Sequence, residues 1–350
     1  MPLYIPFPSW LKPEIVSFLP IRWYGLMYIF AFATAYLLYR RQVKERKFPM
    51  SEDDLSGLFF WGILSLLLGA RLFSTLFYHH DNTYLLKPWL IFWPFNEAGK
   101  FTGLQGMSYH GGAFAGLLSV VLYAKFKRYS FREIGDMFAA SIPLGFTFGR
   151  LGNFINAELY GRATESPIGM LFPNAAKLPA SESWVQEIAE KTGVALSGAM
   201  VNLPRHPSQL YEAFFEGIVL WVIIWFFRNR KPFKGFLVGL YFLGYGLFRF
   251  IIEYFREPDA ELGYRIELVK STLPTAYSHP LLSFSTGQIF CFFMIVFGVV
   301  WLFIASRMPN RDSVRVYSDK TEWQEKKKQA DKENTASERN RRRKFRKKLK

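Results

Sequence analysis

Cysteine is almost missing from this sequence: Cys291 is the only one in 350 residues. That excludes an internal disulfide and any cysteine-based metal site, whichever compartment the loops face. Cys291 itself lies in an apolar run and reads as packing. Residues 1–20 lack the basic start and short apolar core of a cleavable signal, so the first hydrophobic segment is expected to be retained. No internal repeat is visible. Acidic residues are few, 28 against 44 Lys and Arg, giving a net charge of +16. From Arg307 to Lys350, however, 17 Lys and Arg face 7 Asp and Glu, so ten of those sixteen charges sit in the last 44 residues. The rest of the chain is only mildly basic, and no nucleic-acid partner is expected.

What is abundant is apolar and aromatic. Half of the residues are hydrophobic and 19% aromatic, with 37 Phe, 18 Tyr and 10 Trp, which points to lipid as the solvent. A bilayer core needs about 20 apolar residues per helix. Stretches near that length run from Ile21 to Tyr39, Leu55 to Tyr78, Ser108 to Ala124, Ile134 to Phe154, Leu210 to Phe227, Gly235 to Phe255 and Thr286 to Ser306. The expected fold is therefore all-α and polytopic, with seven transmembrane helices and a small periplasmic cap from the external loops. Cytoplasmic loops hold the excess of Lys and Arg. Basic clusters follow the first, third and fifth spans (Arg40 to Lys47, Lys125 to Arg132, Arg228 to Lys234), and the basic tail follows the seventh. With seven spans all four fall on one side, which puts the N-terminus outside and the tail in the cytoplasm.

Two external loops are long, residues 79–107 and 160–207. The first carries an apolar stretch from Tyr84 to Phe95 broken by Pro88 and Pro94, whose two Trp suit a segment lying in the interface. The second has an amphipathic stretch around Trp184 to Lys191, consistent with a small folded cap. The tail, residues 307–350, is charged and nearly free of apolar residues, and is expected to be a disordered anchor for anionic headgroups.

Ionisable residues inside a membrane helix cost about 2.5–3.5 kcal/mol even on the lenient insertion scale, so each is a functional candidate. In this orientation Tyr24, Arg71, His110, Arg150, Asn153, Arg249 and Glu253 all fall in the outer half of the bilayer, contributed by five helices, and no charges are seen continuing into the inner half. Tyr245, Arg249, Glu253 and Arg256 follow each other at four, four and three residues, an arc of roughly 80° at 3.6 residues per turn. Arg249 and Glu253 are spaced as an i,i+4 pair, which could equally be a self-neutralising pair inside the bundle. Arg150 and Asn153 share a face, although Arg150 alone could be a snorkelling side chain. His110 precedes Gly111-Gly112, where another backbone or a ligand can approach closely, and could equally be a helix-end hydrogen bonder.

The run Gly149-Arg150-Leu151-Gly152-Asn153-Phe154-Ile155-Asn156-Ala157-Glu158-Leu159-Tyr160-Gly161 resembles the signature of the prolipoprotein diacylglyceryl transferase family. The resemblance extends to Trp23-Tyr24-Gly25-Leu26, to Gly106-Met107-Ser108-Tyr109-His110-Gly111-Gly112 and to Arg205-His206-Pro207-Ser208-Gln209-Leu210-Tyr211-Glu212. It also takes in Tyr245-Gly246-Leu247-Phe248-Arg249 with Glu253 and Arg256. It covers residues of about 1 to 306, which makes that stretch the expected catalytic domain and leaves the tail outside.

Such a family implies a multi-pass protein of the bacterial inner membrane that carries out the first step of lipoprotein maturation. It implies phosphatidylglycerol as lipid donor, the lipobox cysteine of a preprolipoprotein signal peptide as acceptor, glycerol-1-phosphate as released product, and neither metal nor cofactor. Thioether formation then needs a thiolate, because a free thiol of pKa near 8.5 is a poor nucleophile. It also needs cations to meet the departing phosphate. Arg150 and Arg249 are the candidates for phosphate, since the guanidinium fork binds two oxygens at once. His110 is a candidate base, with Glu158, Glu212 or a tyrosine as alternatives. Tyr24 and Asn153 are expected to donate hydrogen bonds to the headgroup, Gly161 to meet a backbone requirement, and Glu253 to orient Arg249. Tyr245, Arg71 and Glu212 complete the expected substrate-binding set. The rival reading is a transporter of an anion or a phospholipid. Its midplane site and broken helices fit the outer-half placement of the polar residues poorly. A membrane scaffold would leave the buried arginines without purpose.

Overall fold

A computed structural model describes residues 3–15, 22–78, 83–95, 99–100, 106–257, 263–269 and 273–308. The basic tail from residue 309 on, and parts of the 79–107 loop, lie outside the described residues. The chain divides into two compact units, Met1–Gln42 with Arg132–Asn310, and Val43–Phe131 with Arg311–Lys350.

The fold is mostly helical. In chain order the helices are α1 (Trp23–Glu45), α2 (Glu52–Phe73), α3 (Thr83–Leu86), α4 (Tyr109–Phe126), α5 (Phe131–Ala139), α6 (Ile142–Ile155), α7 (Ser183–Thr192), α8 (Ser208–Glu212), α9 (Leu220–Phe227), α10 (Phe236–Ile252) and α11 (Thr286–Arg307). Helical segments thus overlie each of the seven apolar stretches. Among the described residues three are long and apolar enough to cross a membrane, Glu52–Phe77, Ser208–Phe227 and Thr286–Arg307, with mean hydropathies of 1.7, 1.8 and 2.7, and Phe236–Ile252 is a shorter apolar helix. On α11 most of the apolar side chains point outward, Phe290, Phe293, Val300 and Phe303 among them. Such a surface is stable only where lipid replaces water, and the chain is an α-helical membrane protein.

Local chemistry explains where the helices begin and break. The α11 start is a capping box, in which Ser285 Oγ accepts from Gln288 N–H and the Gln288 side chain accepts from Ser285 N–H. At α2, Ser51 Oγ accepts from Asp54 N–H at 3.0 Å, and Glu52, Asp53 and Asp54 occupy the positive end of the helix dipole. The expected fourth span is two helices, because Pro143 in the first turn of α6 has no N–H to continue the ladder from α5. The Gln42 amide fills the break, donating to Met137 O at 3.0 Å and to Ser141 Oγ at 2.9 Å. The fifth stretch is also irregular: between α8 and α9 the chain runs as a π-helix, Ala213–Val219.

In the first unit, residues 160–207 fold on a small core of Trp184, Val185, Ile188, Ala189, Val201 and Leu203. Helix α7 presents these apolar residues and ends at Gly193 in the left-handed conformation. Three two-stranded pairs surround it: β1 (Ile5–Pro6) runs parallel to β2 (Met170–Leu171), while β3 (Leu178–Pro179) with β4 (Met200–Val201) and β5 (Tyr264–Glu267) with β6 (Ser283–Ser285) are antiparallel.

In the second unit α2 packs closely on α4. A Cβ on Gly111 would lie 2.5 Å from Gly69 O, so the Gly111-Gly112 pair admits a neighbouring backbone. The Tyr84–Phe95 segment forms α3 and a 3₁₀ turn, Pro88–Phe92, with Leu85, Leu86, Trp89 and Trp93 exposed. It does not form a long helix.

Candidate functional site

Three arginines of the first unit meet around one carboxylate. Glu212 ends α8, and its side chain is fully buried. Its Oε2 lies 2.7 Å from Arg150 Nε of α6, and its Oε1 lies 2.9 Å from both Arg249 Nη1 of α10 and Arg256 Nη1. Glu253, which caps α10, accepts a hydrogen bond from Ser285 Oγ at 2.9 Å through Oε1, while its Oε2 forms ion pairs with Arg249 Nη2 at 3.2 Å and Arg256 Nε at 3.7 Å. The expected i,i+4 pair is therefore present, but it is one edge of a larger ionic network. Arg150 reaches Glu212 through Nε and not through its forked Nη end, and its guanidinium lies 4.7 Å from the centre of the Phe146 ring. Phe146 in turn meets Tyr245 edge-on, and Tyr245 stacks on Tyr241. An arginine held by charge on one side and by an aromatic ring on another keeps its planar fork in a set orientation.

The turn after α6 explains the patterned sequence 153–161. Ala157 and Leu159 adopt positive φ values of 53° and 54°, which L-residues rarely do and which must be held by their surroundings. The holders are neighbours in the same motif: Asn153 Nδ2 and Asn156 Nδ2 donate to Glu158 Oε1 at 2.9 and 3.2 Å, Gln209 Nε2 to Glu158 O at 2.6 Å, and Ser208 Oγ to Leu159 O at 3.1 Å. Gly161 then passes between two segments of the chain, around His206 and Phe255. Its N–H donates to His206 O at 2.8 Å, and a Cβ there would collide with Phe255 O and lie 2.9 Å from His206 Cβ. Only glycine fits there. Glu158 is exposed, and its carboxylate serves this turn.

His206 shows what this packing does to a titratable group outside the spans. Burial, with the Arg162 charge nearby, pushes its pKa down to about 4, so the imidazole is neutral at physiological pH. Behind it Arg205 is fully buried, paired to Glu257 at 2.7 Å, and Arg162 donates to the carbonyls of Tyr254, Thr275 and Ser278. These two arginines tie the 160–207 fold together.

The remaining expected residues are placed as follows. Tyr24 lies near the start of α1, its hydroxyl 3.1 Å from Tyr28 Oη. Arg71 and His110 belong to the second unit. Arg71 is buried, and its guanidinium donates to Ile91 O and, at 3.2 Å, to Gly106 O, tying the loop after α2. His110 is exposed in the first turn of α4, its ring edge-on to Tyr109.

Two buried acids escaped the sequence reading. Glu216, in the π-helix, is fully buried with Arg249 Nη1 at 3.8 Å. Its signal was an acid inside an apolar run. Asp136 is buried at the other end of α10, where it accepts from Lys231 Nζ and Gly235 N–H at 2.8 Å, Leu237 N–H at 2.9 Å and Val238 N–H at 3.2 Å. Buried charge is thus not confined to one end of the helices, contrary to expectation. Asp136 is the N-cap that α10 lacks in its own sequence, where Gly235 stands.

Helices α6, α8 and α10 thus bring guanidiniums and buried carboxylates together next to a strained turn. The chain is similar to known proteins. A phosphatidylglycerol–prolipoprotein diacylglyceryl transferase of Treponema pallidum (strain Nichols) is 52% identical over 328 residues, covering 89% of this chain and 98% of that one. The protein of that name from Treponema denticola is 52% identical over 322 residues, 87% of this chain and 95% of its own. That of Chlorobaculum tepidum is 41% identical over 311 residues, covering 87% and 94%. A family model described as prolipoprotein diacylglyceryl transferase matches residues 13–304, and the chain belongs to that family.

Proposed function

We propose that this chain transfers the diacylglyceryl group of phosphatidylglycerol to the cysteine thiol of prelipoproteins, the first step of lipoprotein maturation. The observation that carries the reading is the meeting of Arg150, Arg249 and Arg256 at buried Glu212, beside the turn built by the family signature.

In the proposed reaction the cysteine sulfur attacks the glyceryl carbon of the donor, a C–S bond forms, and the C–O bond to glycerol-1-phosphate breaks. The thiol proton must leave for the sulfur to become nucleophilic, and His110, whose class of side chain transfers protons near neutral pH, is assigned that role. Arg150 and Arg249 meet the phosphate. At low dielectric, fixed cations aimed at developing charge are worth more than in water and need no reorganisation. Glu212 and Glu253 hold the guanidiniums in place, Tyr245 stands among the rings around Arg150, and Tyr24 and Asn153 bind the headgroup. Glu158 and Gly161 shape the turn beside it. Arg71 orders the loop after α2.

The protein is further proposed to cross the inner membrane seven times, with its N-terminus and the 160–207 cap periplasmic and the basic tail cytoplasmic. In that arrangement the lipobox cysteine of the signal peptide reaches the site from the membrane. A reporter fused after Lys350 should be cytoplasmic and one inserted near Ser181 periplasmic; both on one side would refute seven spans. Residues 1–306 form the catalytic domain and the tail is dispensable, so ending the chain after Met308 leaves activity within a few-fold once insertion is matched.

The function is tested by mixing the purified protein with phosphatidylglycerol vesicles and a lipobox peptide. A diacylglyceryl mass shift on the cysteine supports the transferase. Movement of lipid or anion across the vesicle wall without that product would mean a transporter.

A further inference from the structure

Of the three acids in the arginine network, two have a hydrogen bond at one oxygen and a close ion pair at the other. Glu212 receives contacts from three guanidiniums, and Glu253 from Arg249, Arg256 and the Ser285 hydroxyl. Glu216 has neither. It is fully buried, neither of its carboxyl oxygens has a hydrogen-bond partner, and the nearest cation is Arg249 Nη1 at 3.8 Å, an arginine already engaged by the other two acids.

A carboxylate stripped of water is costly unless it is paired and hydrogen-bonded, and a group in that position lowers the cost by taking up a proton. The charged groups that reach Glu216 are Arg249 from α10, Arg150 from α6, Arg256 just past α10 and Glu212 one turn earlier, and Glu216 in turn acts on the Cys291 thiol of α11. Its backbone is also unusual, since it lies in the π-helix Ala213–Val219, where Thr147 Oγ1 of α6 donates to Ala213 O at 3.2 Å. Single π-turns of this kind re-aim a side chain and recur at functional sites.

We propose that Glu216 is a positioning residue held as the neutral acid, so that three guanidiniums face only two carboxylates and the network keeps one positive charge to match the single negative charge of a phosphodiester. With Glu216 ionised the network would be neutral and would hold its arginines to its own acids. No bond to substrate forms at Glu216, and its proton exchanges only with solvent. This inference rests on the proposed transferase reading for the identity of the anion.

The test uses the full chain in vesicles, with phosphatidylglycerol as donor and a lipobox peptide as acceptor, followed from neutral to alkaline pH. In the wild type the KM for phosphatidylglycerol should rise about tenfold for each pH unit above the point where Glu216 ionises. Glu216→Gln cannot ionise, so its KM should stay flat through that window, whatever its kcat. Glu216→Asp keeps a titrating group and should keep an alkaline rise. Infrared spectroscopy of the wild type at neutral pH should show a carboxylic-acid carbonyl band that shifts in deuterium oxide and is missing from Glu216→Gln. The same pH course of KM in the wild type and Glu216→Gln would overturn the proposal. So would a wild-type spectrum without the band, a measurement that needs no variant to fold. A wild type that shows the band yet makes no thioether product would instead refute the transferase reading.

Discussion

Replacing Glu212 by Gln removes one charge from the centre of the site while keeping the shape of the side chain. In the wild type its carboxylate is fully buried and receives Arg150 Nε at 2.7 Å and Arg249 and Arg256 Nη1 at 2.9 Å each. An amide in its place offers one oxygen and turns an NH2 group toward a guanidinium. Removing one partner of a buried ion pair costs about 3–5 kcal/mol, because the other charge stays buried and unpaired. Three cations share this acid, so Glu212→Gln should lower stability by at least that amount, a large part of the roughly 5–15 kcal/mol that holds a protein folded. Reversible unfolding in detergent measures the loss. Thioether formation per folded molecule should fall as well, since Arg150 and Arg249 lose the group that orients them. A second change separates charge from shape: Arg256→Gln added to Glu212→Gln removes a cation with the acid, and the double variant should be more stable than the sum of the single losses predicts. A Glu212→Gln protein as stable and as active as the wild type, or strict additivity in the double variant, would refute the view that this acid organises the arginines.

Three further outcomes follow from the same geometry. Arg150→Lys and Arg249→Lys keep the charge but not the planar fork, and each should lower turnover of folded protein by roughly 10² to 10³, the worth of one oxyanion-type donor, with Glu253→Gln costing less; near wild-type rates in both lysine variants would return the arginines to a structural role. Asp136→Ala strips α10 of its cap and leaves Lys231 with Glu133 alone, so unfolding in detergent should show a loss of about 1–3 kcal/mol with the kinetics of the surviving protein little changed. His206 is neutral when folded, with its pKa near 4 against an ordinary 6.5. The unfolded chain therefore binds more protons between those values, and stability, full above about 6.5, should fall as the pH drops toward 4 by at most about 3 kcal/mol. Unfolding midpoints measured over that range should lose much of this slope in His206→Gln, and an unchanged slope would exclude His206 as its source.

The parts of the site legible in the sequence were those that depend on local spacing. Arg249 and Glu253 are four residues apart on one helix and do pair. The run of Asn, Glu and Gly after α6 stood out as a family motif, and the structure shows it as a turn with two positive-φ residues. What stayed hidden depends on which helices touch. Glu212 was visible as a motif residue, but its three arginine partners come from α6, α10 and the segment beyond α10, and no spacing rule brings those together. Asp136 caps a helix about a hundred residues later in the chain, a contact outside the reach of any local pattern. The break between α5 and α6 could have been read from Pro143, but the apolar run around it masked the missing hydrogen bond. Glu216 was open to the rule that an acid in an apolar helix is functional, and only its placement beside Arg249 gives that rule content.

The central claim is most directly tested by the product itself. Purified protein, phosphatidylglycerol vesicles and a lipobox peptide are combined, and the peptide is weighed by mass spectrometry beside a peptide whose cysteine is replaced by serine. A diacylglyceryl adduct is expected on the cysteine peptide alone, with glycerol-1-phosphate released in equal amount. An unmodified cysteine peptide, in the presence of folded protein and donor lipid, would contradict it.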